Sequence, residues 1–177
     1  MFFSIRDLEL KKVYFDVTFA PGEIDYLERL RQVAPLETHG SAELLANTLG
    51  EIRIRGHLKT VMETDCDRCL EPASEPVDTD FDLFYRPAAP MAHGGEEIAL
   101  HAGEIEIAFY QGDGIDLKEV LREQILLSMP MQRVCRPDCR GICPSCGQNR
   151  NLVDCRCEVQ KADDRWAALK TLQTKGN

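Results

Sequence analysis

Ile52-Arg53-Ile54-Arg55-Gly56-His57-Leu58-Lys59-Thr60-Val61-Met62-Glu63-Thr64-Asp65-Cys66-Asp67-Arg68-Cys69-Leu70-Glu71-Pro72 is the stretch that decides how this chain folds. Ile52, Ile54, Leu58 and Met62 fall on one side of an extended chain, with Arg53, Arg55, Lys59 and Glu63 opposite, the period of a half-buried strand. A second alternating run follows, Val77, Thr79, Phe81, Leu83 and Tyr85 set against Asp78, Asp80 and Asp82. The runs flank Cys66–Pro72, which places Cys66 and Cys69 at the tip of a long hairpin. Alternation alone accounts for the three aspartates as one solvated strand face, without catalysis.

Upstream, Lys12 to Phe19 alternates and reads as a strand ending at Pro21-Gly22. Tyr26, Leu27, Leu30 and Val33 have the spacing of a short helix. Period two returns from Ser41. Downstream, Pro87 to Gly95 reads as a mobile loop, and Ile105, Ile107 and Phe109 as a strand before the turn Gly112-Asp113-Gly114. Asp116 is a good N-cap, with Glu119 three residues on, for a helix burying Leu117, Val120, Leu121 and Ile125 and stopping before Pro130. A last helix at about 162–172 would bury Trp166, Leu169 and Leu172. The expected class is α+β, a mostly antiparallel sheet with a few helices and a cysteine-rich zinc-binding C-terminal segment. Residues 1–130 form the body and 131–177 the cysteine-rich segment plus the last helix.

The 177 residues fit one domain with a small appendage. No apolar run approaches the roughly 20 residues that cross a bilayer, so no membrane partner is expected. The start, Met1-Phe2-Phe3-Ser4-Ile5-Arg6-Asp7, lacks a basic n-region, which predicts a cytoplasmic protein. The net charge of −9 argues against wrapping in nucleic acid over the whole surface. It is unevenly divided: 131–177 carry +4 and 1–130 carry −13.

Eight cysteines come in four close pairs: Cys66/Cys69, Cys135/Cys139, Cys143/Cys146 and Cys155/Cys157. In a cytosolic chain this number and spacing point to metal before disulfides. Cys143-Pro144-Ser145-Cys146-Gly147 has the form of a zinc knuckle, and Cys155-Arg156-Cys157 projects two sulfurs to one side of an extended chain. Those four make the best single site. Cys66, Cys69, Cys135 and Cys139 form a second if the hairpin tip lies beside the end of the capped helix; Cys135 and Cys139 could instead join the C-terminal cluster. One or two zinc ions follow. A redox role for Cys66/Cys69 is disfavoured, because thioredoxin-like motifs open a helix in a βαβ setting and this one lies between antiparallel strands.

For the C-terminal cluster two readings stand. It is a staple for a segment too small to fold alone, or it displays Arg136, Arg140, Arg150 and Arg156 to a phosphate backbone. Asn149 and Asn151 read as turn formers before base readers. His39, His57, His93 and His101 are scattered. No Ser/His/Asp arrangement, Walker motif or dinucleotide fingerprint occurs, so no enzyme is expected.

Cys66-Asp67-Arg68-Cys69-Leu70-Glu71-Pro72, together with Cys135-Arg136-Pro137-Asp138-Cys139-Arg140-Gly141-Ile142-Cys143-Pro144-Ser145-Cys146-Gly147-Gln148-Asn149 and Cys155-Arg156-Cys157, resembles the two motifs of the YceD-like proteins. That family is associated with accumulation of large-subunit ribosomal RNA in bacteria and plastids. The likeness takes in Ser128-Met129-Pro130 and Trp166-Ala167-Ala168-Leu169, and runs from about residue 45 onward. One departure is Asn149-Arg150-Asn151-Leu152, where the family usually reads Asn-Leu-Asn. The resemblance implies a non-catalytic role in making the large ribosomal subunit, supporting 23S rRNA accumulation or maturation. The expected partners are pre-rRNA or a large-subunit precursor, and a basic ribosomal protein held by the acidic body. The alternative is a chaperone for such a protein without RNA contact.

Overall fold

A computed structural model of the chain describes residues 1–26, 29–48, 50–88 and 107–157. The elements run β1 (Phe2–Ser4), α1 (Ile5–Leu10), β2 (Val13–Phe19), β3 (Arg31–Gln32), β4 (Leu36–Leu44), β5 (Ile52–Asp65), β6 (Pro72–Pro87), β7 (Ile107–Tyr110), β8 (Gly114–Asp116) and α2 (Leu117–Ser128). The main sheet has the order β2-β4-β5-β6-β7, with β3 also on β5. All its pairings are antiparallel except β6 with β7, which is parallel. β1 and β8 form a separate two-stranded ribbon.

The hairpin β5–β6 is the spine. Its register runs unbroken from Ile52↔Tyr85 to Asp65↔Pro72. Ile52, Ile54, Leu58, Thr60, Met62 and Thr64 are buried, as strand period two requires. α2 lies across β6 and β8 and adds Leu117, Val120, Leu121 and Ile125 to the same core. The Asp116 carboxylate caps it by accepting from the Lys118 N–H at 3.1 Å. Gly40 and Gly56 pair at the sheet centre, where a Cβ on Gly40 would lie 2.2 Å from the Arg55 carbonyl and 2.8 Å from the Phe15 ring. Side chains at these two positions would displace the Phe15 and Phe81 rings.

On the opposite face the acid row of β6 meets the basic row of β5. Arg53 grips Asp82 with two bonds of 2.8 and 2.6 Å, and Lys59 meets Asp78 at 3.0 Å. His57 sits between Asp78 at 3.2 Å and Asp80 at 2.9 Å. Asp78 and Asp82 titrate below the ordinary carboxylate range, chiefly through hydrogen bonds from Lys59 and Arg53. Asp78 and Asp82 are therefore ion-paired strand residues, and exposed Asp80 has the His57 ring as its partner.

The helix expected over 26–33 does not form in its described part. Leu30 is buried, and Arg31–Gln32 extend as β3 along Glu63 and Met62. Gln32 fixes this by donating its amide to the carbonyls of Phe19 (3.0 Å) and Ala34 (2.9 Å). The expected loop beyond Ala88, Ile105 of the expected strand, and the helix at 162–172 lie outside the described residues. No helix among the described residues is long and apolar enough to cross a membrane.

Candidate metal centres

β5 delivers the first ligand by continuing its inward period past Thr64 to Cys66, which is fully buried. The chain then reverses: Leu70 N–H donates to the Cys66 carbonyl at 2.9 Å and Cys66 N–H to Glu71 at 2.8 Å. Leu70 closes this turn at φ +63°, where zinc knuckles more often carry glycine. The segment after α2 docks on the tip through a reciprocal pair. Asp67 N–H donates to the Arg133 carbonyl at 2.8 Å, and Arg133 N–H to the Asp67 carboxylate at 2.7 Å. This brings Cys135 and Cys139 against Cys66 and Cys69. Arg68 adds a third tie, donating to the carbonyls of Cys139 at 3.2 Å and Pro137 at 3.4 Å.

In this first quartet Cys66 and Cys139 Sγ are 3.9 Å apart, and Cys69 and Cys135 Sγ 3.6 Å. Four sulfurs about 2.3 Å from one tetrahedral ion lie about 3.8 Å from one another. The donor set and its spacing fit such an ion. The second quartet, Cys143, Cys146, Cys155 and Cys157, likewise converges, all four sulfurs of each group lying within 4.8 Å of one another. Here the knuckle turn is closed by Gly147 at φ +72°, its N–H on the Cys143 carbonyl at 2.8 Å. Cys135 and Cys139 thus belong with the hairpin tip and not with the C-terminal cluster. Both quartets could hold a metal ion.

Thiol chemistry argues the same way. Burial pushes the Cys66 thiol up, but backbone N–H donors from Cys135, Arg68 and Cys69 pull it down to about 6. Backbone donors from Cys146 and Ser145 bring Cys143 to about 6 as well. Burial and its neighbouring thiols drive Cys135 up to about 12, and its hydrogen bond to Cys146 drives Cys157 there too. Like charges side by side disfavour full ionisation, and a cation among the four sulfurs would remove that penalty.

The arginines singled out in the sequence sit around these quartets. Arg136 donates to the Asn151 side-chain oxygen at 3.0 Å and pairs with Asp138 at 3.4 Å. Arg140 pairs with Asp154 at 3.1 Å, while Arg150 and Arg156 are exposed. Asn149 accepts from Asn151 N–H at 2.9 Å, a turn role, and donates to Glu71 at 3.2 Å. The contributions of Arg68, Asp67 and Arg133 escape sequence reading, because their partners are about 66 or more positions away.

A family model described as large ribosomal RNA subunit accumulation protein YceD matches residues 54–173. The chain is 30% identical over 131 residues to the maize chloroplastic large ribosomal RNA subunit accumulation protein YCED homolog 1, covering 62% of this chain and 45% of that protein. It is 32% identical over 110 residues to an uncharacterized protein of Mycobacterium tuberculosis, covering 59% and 47%. An uncharacterized protein of Bacillus subtilis is 23% identical over 173 residues, covering 96% and 93%. The chain thus spans less than half the length of the maize and mycobacterial relatives. No solved structure matches it significantly.

Proposed function

The chain belongs to the YceD family, and from that membership we propose that it is a non-catalytic assembly factor supporting accumulation or maturation of large-subunit (23S) rRNA. The observation that carries the reading is the family description over residues 54–173. The family resemblance concerns rRNA, and the charge division gives a single chain two faces with which to meet it. The cysteine-rich segment, at +4, would touch pre-rRNA phosphates through Arg136, Arg140, Arg150 and Arg156. The acidic body, at −13, would hold a basic ribosomal protein.

Two zinc ions serve this arrangement, one on Cys66, Cys69, Cys135 and Cys139, the other on Cys143, Cys146, Cys155 and Cys157. All-thiolate sets leave no open position for a bound water, so the role we assign to zinc is to fold the segment. Native mass spectrometry should find two zinc ions per chain. The body 1–130 and the segment 131–177 would act as the two arms of the factor, joined at the hairpin tip.

Co-purification with RNA tests the reading. Arg140→Ala with Arg150→Ala should lower retained RNA and flatten the salt dependence by roughly 1.5 in log–log slope. Unchanged retention and slope would remove the RNA arm. A basic ribosomal protein still held after exhaustive nuclease treatment favours the second reading, a chaperone with no RNA contact, for which the charge of the body is the supporting observation.

A further inference from the structure

Asn151 touches the first quartet and lies in the chain that joins ligands of the second. It sits in the link from Cys146 to Cys155. Its amide nitrogen donates to the Cys139 Sγ of the first quartet at 3.3 Å. Its side-chain oxygen accepts from the Arg140 N–H at 2.8 Å and from Arg136 at 3.0 Å, both on the strip of chain around Cys139. Two further contacts make the junction stiff. Ile142 N–H donates to the Arg68 carbonyl at 2.9 Å, and Gly141 lies where a Cβ would be 2.9 Å from the same oxygen.

We infer that Asn151 is a positioning residue that couples the two metal centres, so that each holds its ion more tightly when the other is filled. The inference rests on the zinc reading proposed above. A hydrogen bond to a ligating thiolate steadies the ligand and spreads its charge, and outer contacts of this kind are worth roughly 10–100-fold in metal affinity. With the second centre empty, the end of the link at Cys155 is released, and holding Asn151 against Cys139 then costs more conformational entropy. Binding linkage makes the effect reciprocal. A turn former alone would need the bonds to Asn149 and Arg140 but not the donor on sulfur.

The test counts zinc ions by native mass spectrometry during an EDTA challenge. In the wild type two ions should leave in two phases, the more exposed second centre first, while the first is still filled. Cys66→Ser with Cys135→Ser leaves only the second centre, and its ion should depart at least about tenfold faster than in the wild-type fast phase. Asn151→Asp keeps all eight cysteines and the acceptor oxygen but cannot donate to sulfur. It should load two ions and show the same acceleration in the fast phase, so it carries the test if the cysteine variant loses its fold. Combining the substitutions should add nothing further, since both remove one link. A fast phase unchanged in these variants overturns the coupling while leaving the zinc reading intact. Fully additive acceleration overturns Asn151 as its route. A wild type that binds no zinc removes both.

Discussion

The sheet and the cysteine-rich end are held together by different physics, although one hairpin runs through both. Over Ile52–Leu58 the chain is fixed by apolar burial shared among four neighbouring strands and α2. Past Thr64 that support ends, and buried cysteines with Ala73 replace the aliphatic core. The second quartet has less still, for Cys146 and Cys157 are exposed. Burial fades along the molecule as cysteines accumulate. Cohesion by area is distributed over many side chains, whereas in the proposed zinc reading cohesion by ligation would depend on one ion per quartet.

Stripping the metal is the strongest way to separate the two regimes, because structural zinc contributes on the order of 10 kcal/mol at neutral pH. After chelation, amides in 133–157 should exchange at nearly unprotected rates while those of Ile52–Leu58 stay protected. Loss of protection throughout would show one cooperative unit and break the contrast. The complementary cut is Ile54→Ala, which opens a cavity in the sheet core. It should cost about 3 kcal/mol, lowering the melting temperature by roughly 10 °C, without changing the number of zinc ions bound.

A finer contrast lies between the quartets themselves. In the first moments of chelation, before 133–157 loses its protection, iodoacetamide should label exposed Cys146 about tenfold or more faster than buried Cys66, read by peptide mass spectrometry, because access limits the buried thiol. Cys66 reacting as fast as Cys146 from the start would mean that the tip opens as soon as the ion leaves.

The smallest effect belongs to the charged sheet face. Asp82→Asn should lower stability slightly at neutral pH, an effect screened by molar salt. The folded pKa of Asp82 is depressed, so the stabilisation is present above the unfolded value and is lost as pH falls through the folded one. Melting curves of wild type and variant should therefore converge on the acid side.

Much of this division is legible in the residues themselves. The alternation on either side of Cys66 gives β5 and β6, and the spacing of the cysteine pairs gives the second quartet, while the place of Cys135 and Cys139 is settled only by the docking of Arg133 on Asp67. What stays hidden depends on partners distant in the chain. β1 is three residues long with no alternation to read, and it forms because Phe3 reaches Ile115. Gly112-Asp113-Gly114 reads as a turn, yet Gly114 begins β8, where a Cβ would fall 2.0 Å from the Phe3 carbonyl. α1 is six residues capped by Ser4, too short to show helical periodicity. Asn151 looks like a loop residue until Cys139 is placed beside it.

The length of β5 carries a last consequence. It pairs with β4 only as far as Lys59, then continues to Asp65 beside β6, with β3 meeting it at Met62 and Glu63. At about 3.3 Å per residue, its 14 residues measure off roughly 40 Å. The strand acts as a ruler between the Arg53–Asp82 clasp and the cysteine tip. A single macromolecule gripping both ends must offer footholds that far apart, a dimension by which footprints can be sorted.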